Sequence, residues 1–320
     1  MNLKALAILG VLAVLALPGW LIQSDYWMNF AIMVLYAALL GQAWNILAGY
    51  GGQFSFGHAA FFGTGAYAQA ILQMSVGLDP WLCFLLSGLL GGIAGAVVGV
   101  LSFRYNLRGS YFALVTLAFA EVFRIVAKSV DFTGGGSGLL VPLHKGAASA
   151  QFATKAGFYY LIFALTALGL AIGWWLDHGR FGARLIAVRE NEEAARALGI
   201  NAFTTKVIAI TLSAILAGFA GAFYVQYFLY IDPNLAYGPD ISVAALLAPI
   251  IGGLGTSLGP LVGALVLQLV SRVAQMVAGD APGITLVIFG VILVIMVVAL
   301  PEGIFGQARI SARRLISRRT

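Results

Sequence analysis

Two polar, glycine-rich interruptions in otherwise apolar sequence hold the side chains that could bind a small polar molecule. They cover residues 49–58 and 252–260. Irregular backbone at membrane depth is tolerated only where protein buries it or where it lines a cavity, and broken spans mark the binding region of transporters. With two amides of the preceding apolar stretch, the candidate pathway residues are Gln42, Asn45, Gln53, Ser55, His58, Thr256 and Ser257. The alternatives are ordinary cytoplasmic turns and, for the two amides, bonds across helix contacts.

A second candidate is a pair of opposite charges in an apolar stretch. Glu121 and Arg124 are three residues apart, so they share one face of a helix. Charges inside a membrane are costly unless they are paired, and they mark function. The spacing predicts a mutual ion pair that faces a subunit interface or a cavity. A proton relay is the weaker alternative, because no second carboxylate is evident nearby.

A charged stretch, residues 177–200, separates two very apolar ones. It holds four arginines and four acids in a chain that is 9% charged. A charged helix between two spans must lie at the membrane surface, where it can exchange force with a soluble partner. Gly199 is predicted to end that helix with a left-handed cap. The residues assigned to the partner contact are Arg189, Glu190, Glu193, Ala194, Ala195 and Gly199.

No set of residues indicates an enzyme. The phosphate-binding pattern Gly-x-x-x-x-Gly-Lys-(Ser/Thr) is absent, so the chain is not expected to hydrolyse nucleotide. No metal-ligand spacing links the three histidines His58, His144 and His178. The single Cys83 allows no internal disulfide. We therefore expect no catalytic residue, metal or cofactor on this chain.

The composition is that of a helical membrane protein. The chain has 320 residues, of which 61% are hydrophobic, whereas soluble domains are about 45–50% apolar. The 40 glycines allow close helix packing in lipid. The fold predicted is an all-α polytopic bundle of about 8–10 transmembrane helices with broken or re-entrant glycine-rich segments. The candidate spans are 5–22, 27–48, 58–77, 81–103, 110–130, 157–176, 206–230, 241–252, 259–278 and 283–300.

The basic residues predict how the chain is oriented. If every candidate span crosses, 13 of the 18 Lys and Arg residues fall on one side, which makes that side cytoplasmic. Both termini are then cytoplasmic, in a bacterial inner membrane. Span 241–252 is too short to cross alone, so ten crossings and eight plus a re-entrant hairpin both remain open. The net charge of +6 is explained by orientation, and no nucleic-acid partner is expected.

The domain plan predicted is one transmembrane domain, 1–308, followed by a basic cytoplasmic tail, 309–320, that binds anionic lipid. Residues 131–156 form an external loop and residues 177–205 a cytoplasmic loop. Span 5–22 is expected to be an uncleaved helix, because no small-x-small site ends it as in a signal peptide.

The stretch 51–67, GGQFSFGHAAFFGTGAY, resembles the signature of LivM-type permeases, the membrane subunits of ABC importers for branched-chain amino acids. Further matching stretches follow in the same order: 108–121, 133–139, 181–199 and 246–260. Glu193-Ala-Ala and Gly199 resemble the EAA loop, the segment of importer permeases that docks on the ATPase. The proline that follows this loop in many importers is missing after Leu212, which leaves the end of the coupling helix open.

The resemblance implies partners that the chain cannot supply itself. These are two ABC ATPase subunits that bind ATP and Mg²⁺, a LivH-like second permease, and a periplasmic or lipid-anchored solute-binding protein. It implies alternating access: the loaded binding protein docks outside, and closure of the ATPases moves the charged helix. The alternative is a stand-alone channel or secondary carrier for a small polar solute such as urea. The charged stretch argues against this alternative, because a channel needs no docking surface for an ATPase.

Overall fold

The computed structural model describes residues 3–144, 146–278 and 303–306, with six isolated positions between 287 and 298. Side chains are described from Gly10 onward. The predicted tail 309–320 lies outside the described residues, and so does most of the predicted span 283–300.

The described chain is a helical bundle with one short β-ribbon. Its helices are α1 (Leu3–Ala16), α2 (Pro18–Leu21), α3 (Asp25–Asn45), α4 (His58–Met74), α5 (Pro80–Arg104), α6 (Gly109–Ser129), α7 (Lys155–His178), α8 (Arg180–Glu190), α9 (Glu192–Ala197), α10 (Ala202–Phe228), α11 (Pro233–Tyr237), α12 (Pro239–Gly252) and α13 (Gly259–Ala278). The strands are β1 (Leu139–Leu140) and β2 (Tyr230–Ile231), which pair antiparallel. A π-helical turn, Ile46–Tyr50, continues α3.

The predicted all-α polytopic membrane fold is confirmed. Among the described residues, six helices are long and apolar enough to cross a membrane: α3 with its π turn, α5, α6, α7, α10 and α13. The candidate span 5–22 is observed as two helices, α1 and α2, with an interruption at Leu17, just before Pro18. Leu17 itself keeps helical backbone (φ −68°, ψ −42°), and the interruption arises because Pro18 has no N–H to donate to the preceding turn. The short span 241–252 is observed as α12, a helix of 14 residues.

The bundle has two distinct ends. The charged end carries α8 and α9, between α7 and α10. The loop end carries the segment 130–154 and the β-ribbon, in which Leu139 pairs with Ile231 and so ties that segment to the turn after α10. These names are used below.

The centre of the bundle is α10, which packs against α3, α4 and α5. A glycine stripe on α5, Gly91, Gly95 and Gly99, lies against α10 at Gly218, Ala214 and Ile210. Lipid gives no hydrophobic drive for helix association, so close backbone approach through small residues is what holds such helices together.

The α12–α13 hairpin is closed by glycines at its turn. A Cβ on Gly263 would overlap the carbonyl oxygen of Ala248, and one on Gly252 would overlap that of Gly259. We predict that Gly263→Ala destabilises the chain by about 2 kcal/mol, because overpacking a tight contact forces the backbone apart. Thermal unfolding of the purified protein measures this. Gly10→Ala in α1, where a Cβ has open space, is the control. Equal stability of the two variants would show that the hairpin tolerates the methyl group.

Candidate functional site

The charged stretch forms two helices rather than the single helix that the sequence predicts. Helix α8 ends at Glu190, and Asn191 adopts extended backbone (φ −155°, ψ 105°) before α9 begins. The Asn191 side chain accepts a hydrogen bond from the Ala194 N–H at 3.0 Å, which is the usual N-cap contact. This cap satisfies a backbone donor at the start of a second helix. The charged stretch is therefore divided at Asn191.

Gly199 follows the end of α9 in the left-handed region, with φ +82°. Its N–H donates to Arg196 O at 2.9 Å, and the Ile200 N–H donates to Ala195 O at 3.0 Å. These two bonds make a Schellman motif, which satisfies carbonyls at the helix end. The short helix α9 therefore has a defined start and a defined stop.

Glu192 anchors α9 to the rest of the bundle, and the sequence reasoning did not assign it a role. Its carboxylate accepts from Lys206 Nζ of α10 at 2.8 Å and from Arg196 Nη2 at 2.6 Å. Arg108 Nε, in the turn between α5 and α6, lies 3.4 Å away. The side chains of Glu192 and Lys206 are 9% and 4% exposed. The i,i+4 spacing to Arg196 was the one signal in the sequence.

The electrostatics of this cluster keep Glu192 ionised. Burial alone would raise the pKa of Glu192, but the hydrogen bond and charge of Lys206 and the charges of Arg108 and Arg196 hold it below its ordinary value. One carboxylate thus meets three cations, and the surplus positive charge lies on the half-exposed Arg108 and Arg196. The charged end offers cationic groups to a partner.

The structure shows how the residues of α9 are placed. Ala195 is buried against Val188 and Ala202, so it supports the fold of α9 and does not belong to its outer surface. Arg196 pairs with Glu192, one turn before it. Glu193 and Ala194 are exposed, in keeping with an outward-facing contact surface.

Arg189 connects α8 to the first glycine-rich interruption. Its Nη1 donates to the carbonyl oxygen of Gly49 at 2.7 Å, while its Nε and Nη2 bond to Glu190 Oε1 at 3.0 and 2.6 Å. The aliphatic part of Arg189 lies so close to Gly52 that a Cβ there would overlap it. The charged end is therefore in direct contact with the interruption.

The two interruptions meet at the same point. Asn45 Nδ2 donates to Thr256 O at 2.9 Å, and the Gly255 N–H donates to Asn45 Oδ1 at 2.9 Å. Both amide atoms of Asn45 thus bind backbone of the second interruption, 211 residues away for Thr256. A Cβ on Gly49 would overlap Asn45 Oδ1. Asn45 thus bonds across a contact between segments, which is the alternative to a pathway role given above.

The first interruption turns back into the bundle before α4 begins. The His58 ring Nε2 lies 2.8 Å from Ser213 Oγ, which donates to Ala43 O at 2.6 Å. Helix α4 therefore starts at the level of Ala43, about 10 Å from Tyr50 along α3. Trp44 Nε1 fixes the returning segment by donating to Ser55 O at 2.8 Å. Ser55 and His58 are buried.

One face of α7 lines the other side of this region. Gly169 faces the Gln42 amide and Gly173 faces Ser257. Tyr50 Oη donates to Asp177 Oδ1 at 2.8 Å. Neither amide atom of Gln42 has a hydrogen-bond partner among the described residues.

The remaining predicted pathway residues, Gln53 and Thr256, lie close to the contact between the two interruptions. Gln53 is partly buried, and its amide donates to Gly51 O at 3.3 Å. The Thr256 hydroxyl donates to Gly253 O at 2.9 Å and accepts from the Gly259 N–H at 3.1 Å. We call the site formed by residues 45–58, Arg189 and 252–259 the junction.

Glu121 and Arg124 form an ion pair on α6. Arg124 Nε donates to Glu121 Oε2 at 2.8 Å, and a second, shorter bond joins Nη2 to Oε1. Arg124 Nη1 also donates to Asn234 Oδ1 of α11 at 2.8 Å. The side chains are 46% and 26% exposed, so the pair lies on the surface of this chain.

Long apolar helices, a buried glycine-rich junction and a charged helical element touching it define a polytopic membrane protein built like a transport subunit. The family described as "Branched-chain amino acid transport system / permease component" matches residues 26–297. The chain belongs to this family, and the predicted resemblance to LivM-type permeases is confirmed.

Individual relatives agree with the family. The chain is 28% identical to the high-affinity branched-chain amino acid transport system permease protein LivM of Escherichia coli K12, over 96% of this chain and 76% of the relative. It is 23% identical to LivH of the same organism, over 85% of this chain and 92% of the relative. It is 26% identical to the nucleoside ABC transporter permease NupC of Lactococcus lactis, over 73% and 77%. No solved structure gave a significant match.

Proposed function

We propose that the chain is the membrane permease subunit of an ATP-driven importer for branched-chain or related amino acids. The observation that carries this is the family match over residues 26–297, and the coupling is supported by the bond from Arg189 Nη1 to Gly49 O at 2.7 Å. This bond connects an exposed charged element to the point where two broken segments of the bundle meet. A displacement of α8 and α9 therefore acts directly on α3, α12 and α13.

The partners proposed follow the relatives. LivM and LivH are named as permease proteins of the same kind of transport system, which supports a pathway made by this chain with a LivH-like permease. Two ATPase subunits would bind ATP and Mg²⁺ and dock on the charged end. A solute-binding protein would dock on the loop end. The charged end and both termini are then cytoplasmic, in the inner membrane.

The proposed mechanism uses the junction as a hinge. Closure of the ATPases moves α9, because the ATPases contact its exposed residues Glu193 and Ala194 and the following Gly199. Glu192 carries that movement to α10, and Arg189 carries it to the first interruption. Backbone at Gly52, Gly253 and Gly255 has positive φ, a conformation that glycine adopts without strain. The junction can therefore change shape without unfolding a helix.

The test is uptake into proteoliposomes that contain the chain, its second permease, the ATPases and the binding protein. We expect ATP-dependent uptake of L-leucine, and none when the ATPases carry a hydrolysis-defective substitution. Uridine is the comparison solute, because one relative is a nucleoside permease. Uptake by this chain alone, without ATP, would instead establish a stand-alone channel or carrier. Uptake of uridine but not of leucine would overturn the substrate class.

A further inference from the structure

The face of α6 that bears Glu121 and Arg124 is exposed although α6 is long and apolar enough to span the membrane. Of the six such helices among the described residues, α6 is the least buried within the chain. Glu121 is eight positions before the end of α6 at Ser129, which places it about 12 Å inside that end. A carboxylate at that depth is not hydrated if lipid covers it.

Lipid is an improbable cover for this face on energetic grounds. Ionisable side chains in the hydrocarbon region are costly and face the bundle interior or a water-filled cavity. Within this chain the pair is not enclosed, since Glu121 is 46% exposed. Arg124 could extend toward the membrane surface, but the short carboxylate side chain of Glu121 cannot. The face must therefore meet either a water-filled passage or another protein surface.

The chemistry of the group fits a solute that carries both charges. Three of the five N–H donors of Arg124 are used, by Glu121 and Asn234. The guanidinium can take a carboxylate in a bidentate contact, while Glu121 can take an ammonium group. An α-amino acid presents both, so the exchange of partners leaves the net charge of the site at zero. Leu117 and Ile125, one turn on either side of Glu121, are exposed and offer apolar contact to a branched side chain.

We propose that Glu121, Arg124 and Asn234 form a transient binding site for the zwitterionic head group of an α-amino acid. The site lines a water-filled passage between α6 and the second permease. This rests on the proposed function. The proposal places the passage on the exposed face of α6. The junction is a less suitable place, because its polar groups are mostly buried and bonded to one another.

The first test is uptake of L-leucine by Glu121→Gln and Arg124→Gln in the assembled transporter. We expect each variant to assemble with its partners and to lose uptake about tenfold or more, since hydrogen bonds to charged groups have that worth. The double variant should be no better than either single one. If the pair were only structural, the double variant would recover uptake, and the proposal would be wrong. If wild-type chain failed to transport leucine, the proposed function would fail instead.

The second test does not depend on turnover. Ile125→Cys and Val126→Cys are made separately in a Cys83→Ser background; the native side chains are 53% and 54% exposed but point about 100° apart on α6. We expect Ile125→Cys to react with a water-soluble thiol reagent in the assembled transporter, since the reactive thiolate needs water. Val126→Cys should not react. An unreactive Ile125→Cys would mean that protein or lipid covers the pair, and would overturn the passage.

Discussion

Replacing Glu192 by alanine should lower the stability of the chain by about 3 kcal/mol, the lower end of the cost of breaking a buried ion pair. The ammonium of Lys206, 4% exposed, would lose its closest acceptor. We expect uptake to fall with it, because α9 would no longer be fixed to α10. Thermal unfolding of the purified complex and ATP-driven uptake measure the two effects.

Glu193→Ala is the matched control for this prediction. It removes the neighbouring carboxylate of the same helix, which is exposed, so its effect on stability should stay within about 0.5 kcal/mol. Lys206→Met in the Glu192→Ala background should recover part of the lost stability, because it removes the stranded charge. Equal melting temperatures for Glu192→Ala and Glu193→Ala would show that Glu192 is not an anchor.

Asn45→Ala should be the most damaging single change at the junction. It leaves Thr256 O and the Gly255 N–H, in a partly buried contact, without their amide partner, and an unsatisfied polar group costs up to about 1–3 kcal/mol when it is buried. The two interruptions would then be joined chiefly by packing. We expect a lower melting temperature and loss of uptake in the assembled transporter.

Gln42→Ala separates this effect from the simple loss of a buried amide. Gln42 is on the same helix, one turn earlier, and is also buried, but its amide atoms have no partner among the described residues. We therefore expect a clearly smaller loss of stability than for Asn45→Ala. A loss as large as that of Asn45→Ala would contradict the role given to the Asn45 bridge.

The fold could be predicted from the sequence largely because membrane spans are encoded locally. Apolar stretches near 110–130 and 157–176 have their counterparts in α6 and α7, within a few residues. The break at Leu17 was missed because the stretch 5–22 is apolar throughout, although Pro18 was there to signal it. The glycine-rich interruptions were recognised from composition, yet nothing in either one shows that it meets the other.

The candidate site was less predictable, because it depends on contacts between distant residues. Glu192 has a sequence signal only toward Arg196, while Lys206 and Arg108 are brought to it by the packing of α10 and the α5–α6 turn. Ala195 was assigned to the partner contact from its place in the charged stretch, but helix phase decides burial, and Ala195 packs against Val188. The roles of the junction and of the exposed α9 residues stay predictions.

The Asn45 bridge also imposes an order on biosynthesis. Thr256 is 211 residues beyond Asn45, and at about 5–20 residues per second the ribosome needs roughly 10–40 s to make that interval. Throughout this time the newly inserted α3 carries a polar side chain whose acceptor and donor do not yet exist. The translocase, water at the membrane interface or a neighbouring nascent helix must hydrate or shelter it. The segment between α12 and α13 thus completes a contact that α3 has left open, and a chain truncated before α12 would expose an unpaired Asn45 for quality-control proteases to recognise.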